Sequence, residues 1–213
     1  MWELYLVTDR ELSLGRPLED VVAGAVRGGV AIVQLREKQA STRCLIEEAE
    51  RIRRLLVGSH VPLIINDRVD VALAVGADGV HLGQEDMPYA MARALLGPQA
   101  IIGLSVETVE QVLEAEHWDV DYLGVSPVFE TPTKPDTRGS WGLEGLALAR
   151  RISRHRLVAI GGLHAANAES VVRAGADSVA VVSAICSAPE PERAAAELDR
   201  IIRSALSARG GEP

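Results

Sequence analysis

Short apolar runs alternate along the chain with longer stretches of helical period. The runs are Leu4–Val7, Ala31–Leu35, Pro62–Ile65, Gly79–Leu82, Ala100–Leu104, Asp121–Val125, Leu157–Ile160 and Ser178–Val182. The helix-period stretches are Pro17–Gly28, Ser41–Val57, Val69–Val75, Pro88–Leu96, Val106–His117, Leu143–Ser153, Ala165–Ala174 and Pro191–Ala208. The runs are almost continuously apolar rather than alternating, so both faces of each strand are expected to be buried, as in a parallel sheet. "GGVAIV", "VGADGV" and "AGADSV" repeat one device, in which small residues and Gly end a helix and turn the chain into the next strand. Eight strand–helix pairs predict an α/β fold, a single (β/α)8 TIM barrel over residues 1–213, with 208–213 as a flexible C-terminal tail. A doubly wound open sheet is the alternative. It calls for a glycine fingerprint after the first strand, and "TDRELSLG" at that place has none.

Composition narrows the class. With 213 residues, 47% hydrophobic and 24% charged, the chain can build a full core and is not intrinsically disordered. No uncharged stretch exceeds Ala94–Val106, which is too short to span a bilayer. Met1-Trp2-Glu3 leads straight into strand-like sequence, which predicts no signal peptide. Cys44 and Cys186 match no metal or redox spacing, and a reduced cytoplasmic setting with two structural thiols is expected. The net charge of −8 disfavours nucleic acid as a partner, so an anionic ligand must be held by local cations or backbone N–H groups.

In a barrel the active site lies at the carboxyl ends of the strands. Those ends are polar here: Thr8-Asp9-Arg10, Gln34 to Lys38, Asn66-Asp67-Arg68, His81 to Asp86, Ser105, Ser126 to Trp141, Gly161-Gly162 and Ser183. In the second strand Gln34, Arg36 and Lys38 share one face, while Val33, Leu35 and Glu37 share the other. If the first face looks inward, it puts cations at the mouth, which is costly unless they meet an anion. Otherwise Arg36 and Glu37 are surface charges at a fraying strand end. Asp67 and Asp86 each sit just past a strand, where Asp is a favoured helix cap. As a pair they could instead hold a divalent ion; Mg²⁺ prefers one or two carboxylates plus ligand phosphates. The stretch from Ser126 to Trp141 is long for a strand–helix connection and is stiffened by Pro127, Pro132 and Pro135, so it reads as a binding loop or lid. Gly161-Gly162 and Val182-Ser183 follow strands seven and eight, where many barrels hold a phosphate. Gly-Gly is also an ordinary tight turn. His81 and His164 have no metal-ligand spacing, and His81 reads as a packed residue or one behind the site.

"LYLVTDR", "VQLREK", "INDRVDVALAVGADGVHLGQEDMP", "IIGLSVET", "DYLGVSPVFETPTK", "GLEGL", "AIGGL" and "GADSVAVVSAI" resemble the thiamine phosphate synthase family, in order from Leu4 to Ile185. The resemblance implies a (β/α)8 barrel. Its reaction is transfer of a hydroxymethylpyrimidine from its diphosphate to a thiazole phosphate, carboxylated or not, giving thiamine phosphate and diphosphate with Mg²⁺. By position, Gln34, Leu35, Arg36, Glu37, Lys38 and Asn66 would bind the pyrimidine diphosphate, and Ser105 and Lys134 would contact it. Arg36, Lys38, Ser105 and Lys134 would be the catalytic residues, and Asp67 and Asp86 would hold Mg²⁺. Thr131, Pro132, Thr133, Gly162, Val182 and Ser183 would bind the thiazole phosphate. Glu130 and "PDTRGSW" depart from the family pattern. Small-molecule substrates are the expected partners, without nucleic acid or membrane, and a homo-oligomer remains open.

Two other functions compete. A related thiazole tautomerase shares the barrel and "VFET", but it lacks the paired carboxylates and places a catalytic His near Pro127 of this chain. Asp67 and Asp86 are both present here and no His lies in that loop, which favours the synthase. A non-catalytic binder of phosphorylated metabolites would show affinity without turnover.

Overall fold

The computed structural model describes residues 2–131 and 139–210. Eight strands close in sequence order into a barrel, β1-β2-β3-β4-β5-β6-β7-β8, with β8 paired back to β1 and all pairs parallel. The strands are β1 Leu4–Val7, β2 Ile32–Leu35, β3 Leu63–Asn66, β4 Gly79–Leu82, β5 Ile101–Val106, β6 Tyr122–Val125, β7 Leu157–Ile160 and β8 Ser178–Val181. Around them lie α1 Leu18–Arg27, α2 Thr42–Leu56, α3 Val69–Val75, α4 Tyr89–Leu96, α5 Val109–Ala115, α6 Gly142–Ile152, α7 Ala168–Arg173, α8 Ser183–Cys186 and α9 Pro191–Gly210. The barrel is therefore as expected, and the open sheet is excluded by the β1–β8 pairing. No helix among the described residues is long and apolar enough to cross a membrane.

Local chemistry sets several boundaries. Ser41 caps α2 by accepting from the Cys44 N–H at 3.3 Å, and Thr108 caps α5 by accepting from Gln111 N–H at 3.3 Å. That cap starts α5 three residues later than the sequence pattern suggested, and β5 runs on through Ser105 and Val106. Ser105 is thus a strand residue opposite Gly124, not a loop residue after the strand. Gly76 ends α3 in the left-handed conformation at φ 63°, which a Cβ would disfavour. The eighth connection holds an extra short helix, α8, before α9. Helix α9 extends to Gly210. Arg209 donates to the Val172 and Ala176 carbonyls and pairs with Asp177, so residues 208–210 are packed helix rather than tail. Residues 211–213 lie outside the described residues. Cys186 is buried, but Cys44 is exposed and does not serve the core.

Side chains of alternate strand residues go to two different cores. Leu4, Leu6, Val33, Leu35, Leu63 and Ile65 pack outward against the helices. Tyr5, Val7, Ile32, Ile64, Tyr122, Val158 and Ala180 form a separate cluster inside the barrel, with Trp2 against it. Two glycines make room for the large rings there. A Cβ on Gly103 would overlap the Tyr122 ring, and one on Gly124 would lie 2.9 Å from His81 Cε1. Glycine within these strands is therefore a steric requirement of the filled interior. Gly103→Ala is expected to destabilise the protein by about 3 kcal/mol or more, since the ring it strikes is fully enclosed. Gly210→Ala, which meets nothing within 4 Å, serves as control. Chemical denaturation of both variants measures the difference.

Candidate active site at the carboxyl ends of the strands

A cavity of about 540 Å³ opens at the carboxyl end of the barrel. Gln34, Arg36, Lys38, Asn66, Asp67, Asp86, Ser105, Thr131, Gly162, Val182 and Ser183 all line it, so these expected site residues converge from seven different strand ends. The second strand resolves its two faces. Gln34, Arg36 and Lys38 point into the cavity, while Leu35 is fully buried among the outer core residues. Glu37 also turns away. Its carboxylate accepts from Arg10 Nε at 3.2 Å, and Arg10 reaches on to Glu48 at 2.8 Å. The Leu35 and Glu37 side chains therefore do not line the cavity: the pleat sends alternate side chains to opposite faces, these two hold the strand end from behind, and contact with a ligand is left to their backbone. Pro132, Thr133 and Lys134 lie outside the described residues.

The mouth carries opposed charges. Arg36 is 20% exposed; its backbone N–H donates to Thr8 Oγ1 at 3.1 Å, and its guanidinium lies 3.6 Å from Asp9. Neither aspartate of the expected metal pair caps a helix: α3 begins after Arg68 and α4 after Pro88, each without a side-chain cap. Asp86 instead accepts the Gly83 N–H at 2.6 Å, closing the turn after β4. Asp67 adopts a left-handed φ of 62° and donates its N–H to the His81 carbonyl at 2.8 Å, which fixes it beside β4. Burial, then the adjoining Asp86 carboxylate, pushes the Asp67 carboxyl up to about 6, against the pull of Lys38 and Arg36. Two converging carboxylates, one raised by the other, form a donor set that a hard cation would relieve. No group of three or more His, Cys, Asp or Glu suited to a metal occurs among the described residues. A Mg²⁺ ion here would need two carboxylates completed by phosphate oxygens and water, which is its usual preference.

The long sixth connection is anchored at both ends. Val128 and Phe129 N–H groups donate to the Ile160 and Gly161 carbonyls at 2.8 and 3.1 Å. On the return, Trp141 and Gly142 donate to the Pro127 and Val128 carbonyls, both at 2.9 Å, and the Trp141 indole donates to the Val106 carbonyl at 3.3 Å. Trp141 therefore holds the loop exit, a role the sequence did not reveal. Gly162 has φ 66°, and a Cβ there would lie 2.9 Å from Phe129 Cβ. Its glycine is demanded by backbone conformation and by this loop as much as by any ligand.

Residues 4–185 match the family model described as thiamine monophosphate synthase. The chain belongs to the thiamine-phosphate synthase family. It is 57% identical over 199 residues to the thiamine-phosphate synthase of Albidiferax ferrireducens, covering 93% of this chain and 91% of that protein. It is 51% identical over 201 residues to the enzyme of the same description from Chloroflexus aurantiacus, covering 94% and 93%. A solved thiamine phosphate pyrophosphorylase from Pyrococcus furiosus superposes with TM-score 0.88 at 41% identity, covering 96% of this chain and 97% of that one.

Sequence reasoning missed several residues that line the cavity: Tyr5, Gln84, Glu107, Gln111 and Tyr122. The isolated glycine in β5 was the available signal for the Tyr122 ring, because a glycine inside a strand often marks a close approach. Because folded Asp67 holds its proton more tightly than the unfolded chain does, the metal-free protein gains stability from it at low pH. That share is lost as pH rises from 3.8 to about 6. Asp86→Asn should lower the Asp67 titration midpoint from about 6, while burial keeps it above 3.8. NMR titration of the carboxyl carbons gives the midpoint, and denaturation across the same pH range gives the stability slope.

Proposed function

We propose that the cavity joins the methylene of a 4-amino-2-methyl-5-hydroxymethylpyrimidine diphosphate to the ring nitrogen of a 4-methyl-5-(2-phosphoethyl)thiazole, giving thiamine phosphate and diphosphate. Family membership supports this reaction class. The observation that carries it for this chain is electrostatic. The Asp67–Asp86 pair and the Arg36 and Lys38 cations face one cavity and act on one another, as a site for a metal-bound diphosphate requires.

The chemistry asks little covalent work of the protein. The C–O bond to diphosphate breaks with its electron pair leaving on oxygen, and the thiazole nitrogen supplies the pair for the new C–N bond. No proton leaves the nitrogen, so no general base is needed. The electron-rich aminopyrimidine can share positive charge while the old bond is breaking. Arg36 and Lys38 line the cavity and would face the negative charge that grows on the departing oxygens. Asp67 and Asp86 would hold Mg²⁺, which when bound supplies further positive charge against the diphosphate. Gly162, Val182 and Ser183 line the opposite wall and would take the thiazole phosphate as a remote handle that orients the nucleophile. Small phosphorylated partners in a reduced cytoplasmic setting belong to the same proposal.

The decisive assay incubates the protein with both substrates and Mg²⁺ and scores diphosphate release. Release that requires both substrates supports the transferase. Turnover of a thiazole alone without Mg²⁺ would make the protein a tautomerase, and binding without turnover a phosphometabolite binder. Asp86→Ala should abolish most Mg²⁺-dependent activity while leaving the fold intact; full activity at limiting Mg²⁺ would exclude Asp86 as a ligand.

Lys134 faces a sharper expectation. A cation placed against charge that grows in the transition state affects turnover more than affinity. Lys134→Ala should lower kcat by on the order of 10²-fold with a smaller change in KM, and Lys134→Arg should rescue only in part. Steady-state kinetics with each substrate varied reads the split. A higher KM at unchanged kcat would make Lys134 a binding residue only.

A further inference from the structure

A chain of five polar side chains crosses the barrel at the bottom of the cavity. Gln34 Nε2 donates to Tyr5 Oη at 2.8 Å. Tyr5 Oη lies 2.8 Å from Tyr122 Oη, Tyr122 Oη lies 3.0 Å from His81 Nδ1, and His81 Nε2 lies 2.8 Å from Ser105 Oγ. Its two ends, Gln34 on β2 and Ser105 on β5, both line the cavity. The middle is buried: Tyr5 is 1% exposed and Tyr122 is fully enclosed. The rings are fixed by packing, with His81 stacked on Tyr122 at 20° and Tyr5 set edge-on to it at 76°. Gly103 and Gly124 leave the space these rings occupy.

Hydrogen counting gives the chain a direction. Tyr5 Oη already accepts from Gln34, and its own hydrogen must go somewhere. Were Tyr122 to donate to Tyr5 as well, the Tyr5 hydrogen would be left over in a buried setting where Gln34 and Tyr122 both already donate, at the cost of desolvation. Tyr5 therefore donates to Tyr122, and Tyr122 donates to His81 Nδ1. A neutral imidazole that accepts at Nδ1 carries its hydrogen on Nε2. That hydrogen goes to Ser105 Oγ. Burial raises both phenols well above their ordinary range, so each keeps the hydrogen this order needs.

The geometry points to Tyr5, Tyr122 and His81 as positioning residues that fix the Ser105 hydroxyl as a hydrogen-bond donor into the cavity, so that the substrate atom above Ser105 is an acceptor. Ser105 touches substrate, whereas the other three act through it. The consequence for selectivity is direct. A pyrimidine presenting an acceptor at that point is matched, and an analogue presenting an N–H there meets a second donor. The inference rests on the cavity being the pyrimidine diphosphate site. Its core, the direction of the chain, can be tested without any substrate.

The experiment has two arms. In the first, ¹⁵N-histidine NMR of the full chain near neutral pH reads the His81 tautomer, with the His81 signals identified by their loss in His81→Asn. Hydrogen on Nε2 is expected, and Tyr122→Phe should abolish that single tautomer. Hydrogen on Nδ1 in the unmodified protein would reverse the chain and overturn the proposal. In the second arm, Ser105→Ala and Tyr122→Phe should each raise KM for the pyrimidine diphosphate by about tenfold, the equivalent of one lost hydrogen bond, with KM for the thiazole phosphate held within about twofold. The double variant should be no worse than Ser105→Ala alone, because one residue acts through the other. Additive losses, or equal damage to both KM values, would reduce Tyr122 to a packing role. If Tyr122→Phe does not fold, Tyr5→Phe takes its place in the kinetic arm. An unmodified protein that shows the Nε2 tautomer but no turnover of the two substrates would count against the proposed reaction and not against the chain's direction.

Discussion

Closing eight parallel strands into a ring leaves the inner face with neither solvent nor helices to pack against, so every second side chain must be matched by others across the barrel. Part of this is met by the apolar Ile32, Ile64, Val158 and Ala180. The rest is met by two phenols and an imidazole, whose polar atoms bond one another. Large rings fit only because β5 and β6 present glycine at inward positions. The interior is thus a filled core with a cavity at the carboxyl end, and the hydrogen-bonded rings lie where the two meet.

Charge at the mouth is sorted by the same pleat. Arg36 and Lys38 face inward, while Glu37, next to them in sequence, faces the rim, where Arg10 ties it to Glu48. A carboxylate from this strand end is thereby kept out of the cavity, and a second strand end is braced from behind. The inward cations meet Asp67 and Asp86, where burial and then the neighbouring acid hold Asp67 partly protonated near pH 6. Burial and crowding of the two carboxylates, which the cations offset only in part, is unfavourable charge in the free protein. It would be relieved by the ligand proposed for the site, which carries both a metal and phosphate oxygens.

The second half of the mouth is held by backbone. The entry and exit of the sixth connection pair with the ends of β6 and β7, and the Trp141 indole reaches back to Val106. Asn167 donates to the Gly162 carbonyl at 2.9 Å, which fixes the turn after β7. These contacts set the wall opposite the charged one, so the two substrates proposed here would approach from sides built by different interactions.

The barrel was legible in the chain because its cause is local and repeated: eight buried strands, each followed by an amphipathic helix, and three near-identical glycine turns. The polar strand ends, and with them Gln34, Arg36, Lys38, Asn66, Asp67, Asp86 and Ser105, could also be read, since a parallel barrel puts all carboxyl ends on one face. The inward face of β2 could not. Period two separates Gln34, Arg36 and Lys38 from Leu35 and Glu37 but does not say which set looks in; the hydrogen-bonding register with β1 and β3 decides that. Nor could the capping reading of Asp67 and Asp86 be dismissed from spacing, because a cap is a matter of where the helix begins in space. Tyr5, Tyr122 and His81 are 117 and 41 residues apart at their two contacts, and no pattern in the chain links them. Sequence fixes which residues alternate. Only closure of the barrel determines which of them meet, because contacts across its interior depend on register and stagger around the whole ring.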